Sequence, residues 1–309
     1  MAGWRRGRGM GASTRAHVAR GVARAGAALW FGAALAIACI PVAAPLHAAP
    51  VPFDERLGAD SLFARHVHDG LVDYAGIEGD RDLLDRSLRA AAEAPPETLR
   101  ALAAPRQLAF YLNAYNLATI DLILRFRKER GGRLKSIQDI PGAWSRYSWK
   151  IAATDRTLDE LEHRIIRLEF SEPRVHMALV CASRSCPPLP STAFSGERLE
   201  MELDRAAREF VNDAFRNQFT PRDGKIRISK IFDWYGGDFV GHYRDQALDW
   251  LYGEKNGAVL AFASRYLPEE TVRALRLKEA AIDYLPYDWS LNSAPPLSAP
   301  AAGAGAKKR

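Results

Sequence analysis

Twenty-five consecutive residues, Arg106–Arg130, constrain this chain more than any other segment. Pro105 pre-sets a first helical turn and Gly131-Gly132 ends the pattern, which predicts one long helix. Leu108, Tyr111, Leu112, Tyr115, Leu122 and Phe126 recur at helical spacing, and Ile120, Ile123 and Leu124 widen the apolar stripe. A helix apolar over so much of its circumference needs cover on most sides, so it belongs at the centre of a core. Asn113 and Asn116 lie three apart on it and project from one face. A buried amide without partners costs about 1–3 kcal/mol. Both must therefore meet polar groups, either loop backbone or a site in which they orient a base or stabilise an oxyanion.

The surrounding pattern mixes helices with short, scattered strands. Phe53–His68 and Leu83–Ala94 read as amphipathic helices flanking an extended piece, Val72-Asp73-Tyr74. Trp149–Ile151 reads as a strand. Thr157 and Glu160 have capping-box spacing, which opens a helix through Arg167. Val175–Val180 reads as a buried strand, and Ser195 as the cap of a helix reaching about Asn217. Lys225–Ile228 is a strand, Ile231–Tyr235 and Asp238–Tyr243 are short helical pieces, and helices near Ala258–Tyr266 and Glu269–Leu277 precede a last strand, Ala281–Leu285. This layout predicts a predominantly helical α+β domain around a small sheet, not a doubly wound βαβ fold.

The first 48 residues are read as a signal peptide and set aside. Six arginines and no acidic residue form its basic part, Ala27–Ile40 is an apolar run too short for a membrane span, and Leu46-His47-Ala48 offers a cleavage site. A rival reading takes Ala36-Ile37-Ala38-Cys39 as a lipid-attachment box, with Cys39 acylated. Without the leader, the chain's 43 basic residues fall into balance with its 37 acidic ones. The net charge of +6 is thus a targeting feature, and no basic excess remains for nucleic acid. The family domain is placed at 49–292, with an Ala/Pro/Gly-rich tail at 293–309 read as disordered. Periplasmic or secreted localisation is expected, with no membrane span.

Candidate chemistry gathers in Arg174–Leu189 (RVHMALVCASRSCPPL), which carries Cys181 and Cys186 on a loop after the apolar run. Three readings apply to this pair. In an oxidising compartment they form a disulfide, whose small loop contributes on the order of 2 kcal/mol. Alternatively Cys181 is an activated nucleophile beside polar Ser183, Arg184 and Ser185. The third reading is metal, through His176, Cys181 and Cys186 at H-x4-C-x4-C, a pattern short of the four ligands a structural zinc site needs.

Bases for Cys181 are few. If Val175–Val180 were a regular strand, His176 and Cys181 would face opposite sides. His163 is the other nearby imidazole, whereas His66, His68 and His242 sit in polar settings and are expected at the surface. Trp234–Phe239 (WYGGDF) reads as a packed aromatic turn, or as one that aims Tyr235 or Asp238 into the same cleft. No phosphate-cradling glycine loop, paired-carboxylate signature or Gly-x-Ser-x-Gly elbow is present, and nothing in the sequence calls for a cofactor.

Several blocks occur in an order that resembles the domain-of-unknown-function 547 family. They include Val67–Tyr74 (VHDGLVDY), Gln107–Ile120 (QLAFYLNAYNLATI), Ser136–Ile140 (SIQDI), Leu158–Arg167 (LDELEHRIIR), Arg174–Leu189, Phe210–Asp213, Ile231–Phe239 (IFDWYGGDF) and Asp283–Asn292 (DYLPYDWSLN). The resemblance implies an exported bacterial protein and carries no catalytic assignment. Plant relatives with serine in place of Cys186 tilt it toward Cys181 as the more important thiol. Two functions follow. One is a cysteine-dependent enzyme for acyl transfer or amide hydrolysis, with Cys181 as nucleophile, His176 or His163 as base, and Asn113 and Asn116 as orienting or oxyanion groups. The other is a non-catalytic cell-envelope module stapled by Cys181–Cys186. Either would take a small-molecule or peptide ligand.

Overall fold

The computed structural model describes residues 53–277 and 280–295. The leader at 1–48, Cys39 and the tail beyond residue 295 lie outside the described residues. The long helix runs Ala104–Glu129 and is buried almost continuously from Leu108 to Leu124. It is the axis of a core that includes Phe63, Tyr74, Ile77, Leu99, Phe110, Ile166 and Val180. A second core forms on Phe210, Phe232, Phe239 and Phe262. Among the described residues helices dominate, with two two-stranded sheets and one of three strands. The fold is a predominantly helical α+β, as the pattern predicts.

Most element positions follow the sequence. Arg81–Glu93 and Glu269–Leu277 are helices, and Ser148–Ile151 pairs antiparallel with Thr154–Thr157. Lys225–Ile228 pairs antiparallel with Gln218–Thr220 and parallel with Ala281–Tyr284. The Thr157 capping box forms: Thr157 N–H donates to Glu160 Oε2 (3.0 Å) and Glu160 N–H to Thr157 Oγ1 (3.2 Å). The helix it opens is wound as π-helix over Glu160–Ile166 and continues as α-helix over Arg167–Phe170.

Three readings are corrected. Ser195 does not cap the next helix, which spans Leu199–Asn212 with Arg198 at its cap; the Ser195 amide donates to Glu202 instead (2.8 Å). His66 is buried, with Nε2 2.9 Å from Asp80 Oδ2, because the Tyr74–Gly79 helix closes over it. The Gly76 Cα lies so close that a Cβ there would sit 2.6 Å from His66 Nδ1. The third correction matters most. Val175–Val180 is not a strand: Pro173–Met177 is a 3₁₀ turn and the chain continues irregularly to Cys181.

An apolar run this short fits a buried strand or any other buried segment. Its environment decides the outcome. Asn116 Nδ2 donates to Ala178 O and Val180 N–H donates to Asn116 Oδ1, both at 3.0 Å. A side-chain amide thus supplies the partners that a neighbouring strand would have supplied. Asn113 braces another segment in the same way, donating to Glu55 O and Phe194 O and accepting from Phe194 N–H (2.9 Å each). Asn116→Ala leaves the Ala178 carbonyl and Val180 amide buried and unpaired. It should destabilise the fold by about 1–3 kcal/mol; an unchanged midpoint in urea unfolding would show that the amide is not the brace.

Candidate functional site

Where the two cores meet, a cleft of about 350 Å³ opens. The central helix supplies Tyr115, the capping-box helix supplies Glu162 and His163, and Asp159 stands at that helix's start. The irregular 176–186 segment contributes His176, Leu179, Cys181 and Cys186. Trp144, Trp234, Tyr235, Tyr287 and Trp289 complete the walls. A helical turn does not alternate its side chains as a pleat does, so His176 and Cys181 reach one cavity despite their odd spacing.

His176 is almost fully buried and its ring stacks on Tyr235 (centroids 4.1 Å apart, planes at 20°). Nε2 lies 2.8 Å from Asp238 Oδ2. Asp238 also receives a two-pronged bond from Arg167, through Nε (2.8 Å) and the terminal nitrogen (2.9 Å). Burial opposes ionisation of Asp238, but the hydrogen bonds from His176 and Arg167 hold its carboxyl well below the usual range. An ionised carboxylate accepts only, so Nε2 carries the imidazole proton and Nδ1 the lone pair. Among the described residues Nδ1 has no hydrogen-bond partner, and His176 lines the cleft although only 1% of its side chain is exposed. Desolvation lowers the His176 pKa, outweighing the Asp238 bond, so the ring is neutral at neutral pH.

Arg167 serves a second imidazole. Its guanidinium donates to His163 Nδ1 (2.9 Å), which puts the His163 proton on Nε2, 3.9 Å from Asp159 Oδ1. Beneath them Glu162 is buried and accepts from the Tyr115 hydroxyl (3.1 Å). Burial and the Glu162 charge push both Tyr115 and Tyr235 far above the usual phenol range, leaving their hydroxyls as neutral donors.

Cys181 and Cys186 are joined in a disulfide, with Cys186 buried and Cys181 half-buried. Cys181 Sγ lies 3.3 Å from Ser183 Oγ and 3.4 Å from the Tyr287 hydroxyl, and Ser183 donates to Tyr287 (2.9 Å). Burial pushes the Tyr287 phenol up to about 12. The loop is fixed from outside. Arg184 and Ser185 amides donate to Ser290 O and Asp288 O, Asn292 N–H donates to Ala182 O, and Arg216 donates to the Arg184 and Cys186 carbonyls. These bonds hold Ala182 at φ +63°, a conformation that costs a non-glycine residue about 1–2 kcal/mol.

The structure therefore brings Cys181, His176 and His163 to one cleft, and leaves Asn113 and Asn116 outside its lining, bonded to backbone. No hydrogen bond joins either imidazole to Cys181 among the described residues. The H-x4-C-x4-C set is spoken for, since the sulfurs bond each other and His176 bonds Asp238; among the described residues no group of three or more His, Cys, Asp or Glu side chains is placed to hold a metal. Sequence reasoning singled out Asp238 and Tyr235 only as an alternative, and missed Arg167, Glu162 and the Tyr287–Trp289 wall. Their signal was weak: a charge on a helix face and aromatic residues near the end of the domain look like ordinary surface and core.

The buried neutral imidazole makes stability depend on pH. The unfolded chain gains the His176 proton below about 6.5, while the folded protein takes it up only at lower pH. The contribution is present above that value and is lost as pH falls toward the folded pKa. Urea midpoints measured from pH 7.5 to 5 should fall with acid, and His176→Gln should flatten that slope. Equal slopes would mean that His176 is not held neutral.

Similarity to known proteins extends to a family only. Comparison with curated proteins gives no match, and comparison with solved structures gives none. A family model does match, over residues 99–211, and the matched span carries the central helix, the capping-box helix and the cysteine loop, while Tyr235, Asp238, Tyr287 and Trp289 come from beyond it. The matched segment, residues 99–211, belongs to the family described as "Protein of unknown function, DUF547".

Proposed function

We propose that the cleft is the active site of a cysteine-dependent enzyme acting on an acyl or amide group of a small-molecule or peptide ligand, with the Cys181–Cys186 disulfide as its oxidised, resting form. The observation that carries this reading is His176: a carboxylate fixes one ring nitrogen, no hydrogen bond engages the other among the described residues, and the residue lines the cavity that also contains Cys181. A general base needs one ring nitrogen held by such a partner and the other left to take a proton.

The chemistry balances as follows. A dithiol reductant gives two electrons and two protons to the Cys181–Cys186 bond and becomes a disulfide itself. Cys181 passes its proton to an imidazole, directly after side-chain rotation or through one water. The thiolate adds to the carbonyl carbon, and the leaving amine or alcohol takes the proton back from the imidazolium. Water then hydrolyses the thioester with the same base. The neutral Tyr287 hydroxyl, 3.4 Å from the sulfur, can donate to the thiolate or to the developing oxyanion. Export to an oxidising compartment accords with the resting disulfide.

The disulfide itself favours a second reading, a non-catalytic cell-envelope module in which the sulfurs are a permanent staple. Reduction separates the two. After dithiothreitol treatment, Cys181 should react with an acyl-chloromethyl ketone at pH 7 faster than free cysteine does. His176→Ala should slow that reaction by about 10²-fold, and the oxidised protein should not react. Labelling of reduced Cys181 no faster than free cysteine would leave the staple reading.

A further inference from the structure

The cleft's charge and rings specify what kind of ligand enters it. Its lining includes two carboxylates, Asp159 and Glu162, and two imidazoles, His163 held by Arg167 and His176 held by Asp238; it includes no lysine or arginine. Glu162 is the telling group. Only 7% of it is exposed, and among the described residues it forms no direct ion pair with a lysine or arginine; His163 lies 3.8 Å away, and Arg167 and His176 act on it only through space. The other buried acidic side chains of this protein are treated differently: Glu55 meets Arg106, Asp121 meets Arg81 and Arg125, and Glu202 meets Arg198. A buried charge left without a counter-ion is costly, and the cost falls when a ligand brings the cation.

The aromatic rings that line the cleft suit the same partner. Trp234, Tyr287 and Trp289 pack ring to ring (centroids 4.5–5.8 Å apart), and Trp144 meets Trp289 edge-on at 6.1 Å. Trp234 is nearly half exposed, an unusual state for so large a ring. Tryptophan faces attract organic cations, and more strongly when desolvated.

We infer that the cleft binds a ligand carrying an organic ammonium group, held between the Trp234–Tyr287–Trp289 wall and the Glu162 and Asp159 carboxylates. The inference deepens the proposed function, since it takes the same cleft as the ligand site, but it concerns binding by the oxidised protein and needs no thiol. Anionic ligands are disfavoured by the same charges. Two ammonium types fit, quaternary and primary.

Tryptophan fluorescence of the full, oxidised chain would be titrated with choline and with its uncharged isostere 3,3-dimethylbutan-1-ol. A parallel pair would be Nα-acetyl-lysine amide and Nα-acetyl-norleucine amide. At least one cation should bind about tenfold more tightly than its neutral twin, and the pair that discriminates identifies the ammonium type. Glu162→Gln and Asp159→Asn should each reduce that preference, and Trp289→Ala should weaken binding of the cation. Equal binding of cation and isostere, or no saturable signal with either cation, would overturn the inference. Because the wild-type comparison uses no variant, misfolding of Glu162→Gln cannot blur the result. Failure here leaves Cys181 labelling after reduction intact, and failure of that labelling leaves ammonium binding intact.

Discussion

A helix buried on nearly every side cannot carry a polar atom without committing that atom to a partner. Ala104–Glu129 carries Asn113, Tyr115, Asn116, Thr119 and Asp121, all shielded from water. Each commitment builds a piece of the molecule. Asn113 ties in Glu55 and Phe194, Asn116 ties in residues 178–180, and Asp121 accepts from Trp149 Nε1 (2.7 Å) and pairs with Arg81 and Arg125. Thr119 returns its hydroxyl to Tyr115 O. Unsatisfied, each group would cost about 1–3 kcal/mol, comparable to a sizeable fraction of a domain's net stability.

One of these commitments faces outward. Tyr115 reaches Glu162 on the cleft floor, while its neighbour Asn116 holds the backbone just before Cys181. Two adjacent residues of the central helix thereby place the two sides of the site relative to each other. The π-wound stretch Glu160–Ile166 brings Glu162 and His163 to the cavity, with Arg167 behind them to orient His163 and Asp238 together. Such π turns recur at functional sites, where an irregular hydrogen-bond ladder re-aims side chains. The orientation of His176 then depends on contacts from two separate segments, one carrying Arg167 and the other carrying Tyr235 and Asp238.

The C-terminal strap is the other organising element. Residues 288–292 bond the backbone of the cysteine loop and deliver Trp289, with Tyr287 just before them, to the cleft. The loop is therefore fixed twice, by its own disulfide and by a segment about one hundred residues away in sequence. No helix among the described residues is long and apolar enough to cross a membrane.

Local sequence determined the central helix, its proline start and glycine end, the Thr157 capping box, the strands Lys225–Ile228 and Ala281–Tyr284, and the helical α+β character. These follow from periodicity and from side chains that bond within four residues of themselves. The polar nature of Asn113 and Asn116 in an apolar stripe also announced that each needed a partner. Only the tertiary structure decided which partner. It turned Val175–Val180 from an expected strand into an irregular segment, because a distant amide and not a neighbouring strand satisfied its backbone. It buried His66 under a helix the pattern did not mark. It set Asp238 on His176 across 62 positions and brought the Tyr287–Trp289 wall to Cys181. Sequence separation hides such contacts, since each residue's local preference is met equally well whether or not the distant partner arrives.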